Sequence, residues 1–397
     1  MKIVHFRSNF DVGLGYDTLT LPLEQLKLGH EVVVVTTDRA SASNTGAGTL
    51  SPQDTARLKE PSFEIQGLKV YRLPSSAIGY DDIVIPKGSK ALLEKLKPDI
   101  VQATAAKEIM PAFAAKYKQS FNYKLFSRED QYDFPASSRL RRWLIKAEYL
   151  AWRRYWCNYT YNRCDGILES SMAGIDFLKE HHTIKPAVPV HYTQVCVDHA
   201  IFFPDPEKRK HLRERMGLYP EEKLLISTGK IVPLKRFELL INAFAQVPQD
   251  ARVQAWIIGG GIPSYIESLK ALAKEKGVLD KIRFMPNVPH EELPAYYNAA
   301  DMGFWNRSTS SIQEAMSCGL AIIVPRYVAG VLPEYDTGQV FGDDTTPDLT
   351  YAITRLATDE RHARIIAGRC LTVAKKRFDV AAQSKEIIGL YEEALKR

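Results

Sequence analysis

The sequence predicts an α/β protein built from two tandem Rossmann-like domains that face a central cleft. Three observations carry the prediction. Along the second half, short apolar runs alternate with helix-period runs across short loops, the pattern of a parallel sheet covered on both faces. The first half alternates in the same way, less regularly. A length of 397 residues favours two domains over one, and a Pro-rich step at Phe203-Pro204-Asp205-Pro206 parts the two patterns. The expected domains are 1–203 and 204–377, with the ligand beyond the carboxyl ends of the strands.

In chain order, the first half gives strand-like runs at Ile3–Phe6, Glu31–Thr36, Val70–Leu73, Asp99–Ala103, Tyr123–Phe126, Gly166–Glu169 and Val190–Thr193. Helix-period runs fill Tyr16–Leu28, Gly88–Leu96, Lys107–Tyr117 and Ser171–Lys179. The segment Ser41–Pro61 is polar and rich in Ser, Thr and Gly, and reads as a mobile surface loop. The second half gives strands at Leu224–Thr228, Val253–Gly259, Ile282–Met285, Met302–Asn306 and Ala321–Pro325. Its helices are expected at Phe237–Val247, Tyr265–Lys276, Glu291–Ala300, Ser311–Cys318 and Leu349–Thr358.

Bulk composition narrows the function classes. Hydrophobic content of 45% and charged content of 25% suit a globular core. A net charge of +6 fits an anionic ligand or an anionic membrane surface, and is too small to argue for nucleic acid. The five cysteines include no Cys-x-x-Cys pair, which argues against a disulfide framework and a zinc site. With no signal peptide and no long apolar stretch, the expectation is a cytoplasmic protein that meets a membrane only from its inner face.

The most informative segment runs from Asn306 to Pro325 and reads strand end, polar turn, helix, Gly stop, buried strand. A serine-rich turn that opens a helix presents free backbone N–H groups, which suit a phosphate. Ser310 and Ser311 stand in that turn, and Arg307 adds a cation. Glu314 lies about one turn into the helix, where a carboxylate can accept from ribose hydroxyls. The alternative for Glu314 is a capping box with Ser311. In Gly229-Lys230-Ile-Val-Pro-Leu-Lys235-Arg236, two lysines follow another strand. Together these features form a nucleoside-diphosphate cradle; the alternative for the lysines is a solvated surface. Gly13, Gly15 and Tyr16 form a Gly-rich strand-to-helix turn that suits a phosphate or sugar, or is simply a tight turn. No Asp-x-Asp occurs, so a metal bridging a diphosphate is not expected, and neither is a cofactor.

On these residues the chain resembles the glycosyltransferases of the GT-B architecture, in the large retaining family 4. The resemblance covers nearly the whole chain and is strongest over Leu224–Pro325. The family's Gly-Arg-x-x-x-x-Lys-Gly stretch is matched by Gly229 to Arg236, with the charges of Lys230 and Lys235 kept. Its Glu-x7-Glu motif is matched at Glu314, while Asn306 stands in place of the first Glu. Leu28-Gly29-His30-Glu31-Val32 is similar to the family's step into its second strand. The family's histidine near the scissile sugar has no counterpart in Ser127-Arg128-Glu129-Asp130-Gln131-Tyr132-Asp133, and its Asn-Gly-Val-Asp step reads Val195-Cys196-Val197-Asp198.

The resemblance implies that Lys230 and Lys235 neutralise the donor diphosphate, that Glu314 takes the ribose and that Asn306 faces sugar hydroxyls. It implies that a final helix, Phe378–Leu395, crosses back to the N-terminal domain, so that 378–397 joins 1–203. The expected activity is retaining, metal-independent transfer from a nucleotide-sugar held by 204–377 to a glycan, lipid-linked or small-molecule acceptor held by 1–203, with closure of the cleft excluding water. Glu129 and Asp130 stand where cleft residues would lie, as hydroxyl ligands, as stabilisers of an oxocarbenium-like centre, or as a solvated charge run. Arg139–Tyr161 carries six cations against Glu148, together with Trp143, Trp152 and Trp156. It reads either as a basic amphipathic membrane contact or as a helix packed by its aromatics. Two rivals share the fold: a nucleotide-sugar epimerase, and a non-catalytic nucleotide-sugar-binding or membrane-associated subunit. A nicotinamide enzyme is disfavoured, because no Gly-x-Gly-x-x-Gly follows a strand.

Overall fold

The structure is a computed structural model that describes residues 1–12, 17–40, 52–77, 83–134, 136, 138–331, 333–342 and 345–397. These residues divide into two compact units, 1–196 with 380–397, and 197–379.

The first unit is built on a sheet of eight strands. They are β1 Lys2–Phe6, β2 Glu31–Thr37, β3 Ser62–Ile65, β4 Leu68–Leu73, β7 Ile100–Thr104, β8 Lys124–Glu129, β9 Gly166–Glu169 and β10 Val190–Tyr192. A separate antiparallel pair is formed by β5 Ser75–Ala77 and β6 Val84–Pro86. The sheet order is β10-β9-β8-β7-β1-β2-β4-β3. Its pairings are parallel except β3 with β4. Continuous apolar runs such as Val32–Val35 are buried on both faces, as a central parallel strand requires. Successive residues serve opposite layers: Val4, Val101, Leu125 and Ile167 join one core cluster, while Ile3, Ile100, Phe126 and Leu168 join the other.

Strand β3 departs from the predicted pattern. Its residues alternate between exposed and half-buried, which marks an edge. It reaches β4 through Gln66 at φ 49° and Gly67 at φ 83°, the paired left-handed residues of a type I′ hairpin. Residues 41–51 of the predicted loop lie outside the described residues. Its remainder contains a helix, Pro52–Arg57, whose Asp54 Oδ1 accepts from the Val12 N–H at 3.1 Å. Strand β8 runs on to Glu129, three residues past the predicted end, because Arg128 and Glu129 pair in register with Leu168 and Glu169. The stretch Arg139–Tyr161 is a helix over Arg139–Glu148, a π-helical turn over Tyr149–Arg153 and a helix over Arg154–Tyr161.

The C-terminal helix Val380–Lys396 belongs to this first unit, where it packs beside the helix Asp17–Lys27. Val380, Ile387, Tyr391 and Ala394 close the second core cluster. Tyr391 donates to Gln102 Oε1 at 2.5 Å, and Gln102 Nε2 donates to His5 Nδ1 at 3.2 Å. His5 Nε2 donates in turn to Gln25 Oε1 at 2.7 Å. A buried polar chain thus ties the last helix to β7, β1 and the first helix.

The second unit has a sheet of six parallel strands: β11 Lys223–Thr228, β12 Val253–Ile258, β13 Ile282–Met285, β14 Met302–Phe304, β15 Ala321–Pro325 and β16 Gln339–Phe341. Strand β16 was not foreseen; it is three residues long and its segment carries too few apolar residues to signal a strand. The order is β13-β12-β11-β14-β15-β16. Numbered within the unit this is 3-2-1-4-5-6, the doubly wound order, and its switch point falls between β11 and β14. Ligands of such sheets bind beyond the strand ends at that point.

Tyr391 is fully buried and stacks at 4.7 Å on Phe126, besides bonding Gln102. Tyr391→Ala is expected to cost about 3–5 kcal/mol in denaturant unfolding of the intact chain. Tyr391→Phe, which keeps the ring and leaves Gln102 Oε1 without its donor, is expected to cost about 1 kcal/mol.

Candidate functional site

The switch point gathers most of the residues singled out from the sequence. Strand β11 ends at Thr228 and is followed by Gly229 at φ 122°. A Cβ on Gly229 would lie 2.5 Å from Lys235 Nζ. The lysine therefore folds back over the strand end, and the positive φ of Gly229 favours glycine there. Gly259, which follows β12, is pressed as closely, since a Cβ there would lie 2.1 Å from the Gly229 carbonyl oxygen. Between the lysines the backbone is anchored by Ile231, whose N–H donates to the Gly260 carbonyl at 2.8 Å. Lys235 closes a 3-10 turn, Pro233–Lys235, before the helix Phe237–Phe244.

Lys235 has its pKa pushed down to about 8, first by burial and then by the charges of Lys230 and Arg307. The same three cations that the sequence proposed for a phosphate are thus electrostatically coupled. Arg307 lies on the turn after β14, next to Asn306. Asn306 is buried; its carbonyl oxygen accepts from the Tyr327 hydroxyl at 2.7 Å and its Oδ1 accepts from the same hydroxyl. Its buried Nδ2 has no hydrogen-bond partner. Trp305 donates from Nε1 to the Thr228 carbonyl at 3.2 Å and so ties β14 to the end of β11.

The helix after this turn is Ser310–Ser317, with Thr309 at its N-cap in extended conformation. It starts one residue earlier than predicted. Ser311 is then the second helical residue and Glu314 the fifth, which rules out the capping box, since that motif needs the acid at the third. The buried Glu314 carboxylate instead accepts from His290 Nε2 at 2.9 Å on Oε1 and from the Tyr297 hydroxyl at 3.3 Å on Oε2. Tyr297 also shares a 2.9 Å hydrogen bond with Thr228. Sequence reasoning missed His290, Tyr297 and Thr228. A lone histidine before a helix and a tyrosine within one carry no spacing signal, and only the packing of Leu293–Ala299 against the neighbouring elements brings them to Glu314.

At the other end of Ser310–Ser317, His199 stands 3.2 Å from Ser317 Oγ and 3.3 Å from Asp379. The set has the composition of a nucleophilic triad but not its direction. Ser317 is buried and donates to the Gln313 carbonyl at 2.8 Å, so its proton points away from His199.

Five predicted residues lie elsewhere or outside the described residues. Gly13, Gly15 and Tyr16 lie outside the described residues. Glu129, at the end of β8 in the first unit, is buried and accepts from the Ala106 N–H at 3.0 Å and from the Ser127 hydroxyl. Burial raises its pKa to about 7, against the opposing effect of those bonds. Its neighbour across the sheet, Glu169, is buried too and is raised well above the usual range by burial. Asp130 is exposed and forms a 3.5 Å ion pair with Lys107, which holds its carboxyl below the usual range. All five cysteines are buried and unpaired. Among the described residues no group of three or more His, Cys, Asp or Glu is placed to hold a metal ion.

A lysine with a pKa near 8 carries its charge below that pH and loses it above. Affinity for inorganic pyrophosphate, followed by calorimetry, is expected to fall as pH rises through about 8. In Lys235→Arg the charge persists, and the decline over that range is expected to flatten.

Comparison with known proteins agrees with this geometry. Residues 208–369 match the family described as glycosyl transferases group 1. The chain is 30% identical over 222 residues to a D-inositol 3-phosphate glycosyltransferase of Xylanimonas cellulosilytica, covering 52% of each. It is 30% identical over 201 residues to a GDP-mannose-dependent alpha-(1-6)-phosphatidylinositol monomannoside mannosyltransferase of Mycolicibacterium smegmatis, covering 46% of this chain and 52% of the relative. The chain thus spans about half the length of the curated relatives it matches. In fold it is similar to sucrose-phosphate synthase from Thermosynechococcus elongatus, with a TM-score of 0.77 at 18% identity over 99% of this chain and 98% of that one. It is also similar to HepE of Anabaena, solved with UDP, with a TM-score of 0.73 at 16% identity over 99% and 100%. The match takes in the strand ends and the helix just described, and makes residues 208–369 similar to the glycosyl transferases group 1 family.

Proposed function

We propose that this chain is a retaining, metal-independent glycosyltransferase. It takes a sugar from a nucleoside-diphosphate donor held at the β11/β14 switch point and passes it to a glycan, lipid-linked or small-molecule acceptor held by the first unit. The observation that carries the reading is the placement of Lys230 and Lys235 just after β11 and of Arg307 just after β14, beside the helix that carries Glu314. Breaking the glycosidic bond builds negative charge on the leaving diphosphate. Cations already fixed there stabilise the transition state more than the ground state, and they do so without a metal. Lys235 is half-buried, which strengthens the effect, because charge interacts more strongly where water is partly excluded. Ser310 and Ser311 open a helix whose first N–H groups suit a phosphate. Glu314 takes the ribose, and the buried Asn306 Nδ2 donates to the sugar. In the first unit, Asp130 faces hydroxyls and Glu129 holds the turn at Ala106. Retention is supported by the relative named for alpha-(1-6) transfer from GDP-mannose, a donor whose sugar is itself α-linked. Guanosine and uridine donors come first, since one relative is named for GDP-mannose and HepE was solved with UDP-glucose.

We further propose a peripheral membrane contact through 139–161. Among the described residues no helix is long and apolar enough to cross a membrane. The helix Arg139–Glu148 buries none of its residues. Leu140, Trp143 and Leu144 are 69%, 64% and 52% exposed on it, beside the exposed Arg139, Arg141 and Arg142. The π-helical turn inserts one extra residue, so that Trp152 and Tyr155 continue the exposed apolar stripe. Of the other aromatic residues of the stretch, Tyr149, Trp156 and Tyr161 pack into the core and Tyr159 packs against it. An exposed apolar stripe flanked by cations matches an anionic bilayer surface, and a lipid-linked acceptor would be met there.

Lys230→Ala is expected to lower transfer about 10²-fold or more, and Glu314→Ala to raise the donor KM about tenfold, with circular dichroism unchanged. Transfer at the wild-type rate in both variants would sink the site. Vesicles of phosphatidylglycerol are expected to sediment the protein, and vesicles of phosphatidylcholine to leave it in solution. The Leu140→Glu, Trp143→Glu double variant is expected to lose about tenfold or more in this binding, and equal sedimentation with both lipids would refute the membrane contact.

A further inference from the structure

Glu314 is held by more of the second unit than a ligand-binding carboxylate needs for its fold. Its two oxygens have separate donors from separate segments. His290, in the short turn His290–Glu292, reaches Oε1, and Tyr297, in the helix Leu293–Ala299, reaches Oε2. Both donors are themselves fixed. Phe202 packs on the His290 ring at 5.0 Å and on Tyr297 at 6.2 Å. The Tyr297 hydroxyl is bonded at 2.9 Å to Thr228, the last residue of β11, next to Gly229 and Lys230. Burial, and then the Glu314 charge, raise the Tyr297 pKa well above its usual value, so the hydroxyl remains a donor.

An ionised carboxylate offers about four acceptor positions, two on each oxygen. Here one on each oxygen is taken by a protein donor. The two positions left over, one on each oxygen, are equal in number to the hydroxyls of a vicinal diol. We infer that His290 and Tyr297 are positioning residues that aim the unused acceptor positions of Glu314 at a vicinal diol, making the site select a ribonucleotide over its deoxy counterparts. The inference rests on the nucleotide-sugar reading of the switch point and deepens it. A deoxyribose would leave one of those buried positions without a donor, and a site built to bond a hydroxyl discriminates strongly against a ligand lacking it.

The test compares dissociation constants of UDP and GDP with those of their 2′-deoxy and 3′-deoxy forms by calorimetry on the full chain. The wild type is expected to prefer the ribonucleotide about tenfold or more. His290→Ala and Tyr297→Phe are each expected to reduce that preference several-fold while changing the deoxynucleotide constants little. His290→Gln, which keeps an N–H near the Nε2 position, is expected to restore most of it. A structural role alone would weaken all the ligands together and leave the ratio unchanged, and that result overturns the inference. So does a wild-type preference that Glu314→Ala removes but His290→Ala and Tyr297→Phe both leave intact. If the wild type binds neither nucleotide, the nucleotide-sugar reading itself fails, and the inference with it.

Discussion

Repulsion among like charges is the constraint on which the second unit's site depends. Lys235 is held beside Lys230 and Arg307 in a setting that already disfavours its charge. Bringing like charges together costs free energy, so the backbone has to impose the arrangement. Gly229 does so by its positive φ, and Gly259 by a close approach to the Gly229 carbonyl that leaves no room for a side chain. The carboxylate nearest in role, Glu314, is meanwhile bonded to His290 and Tyr297. Under the proposed reading, cations and carboxylate serve different parts of one ligand, a polyanion and a sugar ring.

The sheet order makes that division possible. In the order 3-2-1-4-5-6 the connections leaving β11 and β14 depart to opposite sides, which opens a gap at their ends. One rim carries the Gly229–Lys235 loop and the other carries Asn306, Arg307 and the helix Ser310–Ser317. The Trp305 indole spans the two strand ends by its bond to Thr228, and so keeps the rims in register. Asn306 fits the same logic. Tyr327 holds its oxygen, which leaves the amide N–H as the only group it offers a ligand. A glutamate in that place could only accept, whereas Asn306 presents a donor.

Much of this was legible in the sequence, and the parts that were not share a cause. Apolar periodicity located β11, β12, β13 and β15 to within a residue or so, because buried parallel strands must be continuously apolar. The lysines and Glu314 stood out by their position after strands. The true start of the helix at Ser310 did not, because Ser308, Thr309, Ser310 and Ser311 are all competent caps and only packing selects among them. His290 and Tyr297 were invisible, because what recruits them is the arrival of another helix. The hairpin β3–β4 was missed because Gln66-Gly67 lacks the Asn-Gly or Asp-Gly signal of its turn. The fate of Glu129 was unreadable for a similar reason: whether a strand-end acid serves a ligand or a neighbouring loop depends on the Ala106 N–H, which sits on a different strand connection.

The return of Val380–Lys396 to the first unit has a consequence for biosynthesis. All of 197–379 is translated between the body of the first unit and the helix that covers one face of its sheet. The second unit is contiguous, so it can fold as soon as it clears the ribosome. The first unit cannot finish. Ile3, Ile100, Phe126 and Leu168 lack their helical cover, and Gln102 lacks the Tyr391 donor, until the last helix emerges. A nascent chain stalled within the second unit would carry an open apolar sheet face, the kind of surface that chaperones hold and that aggregation recruits.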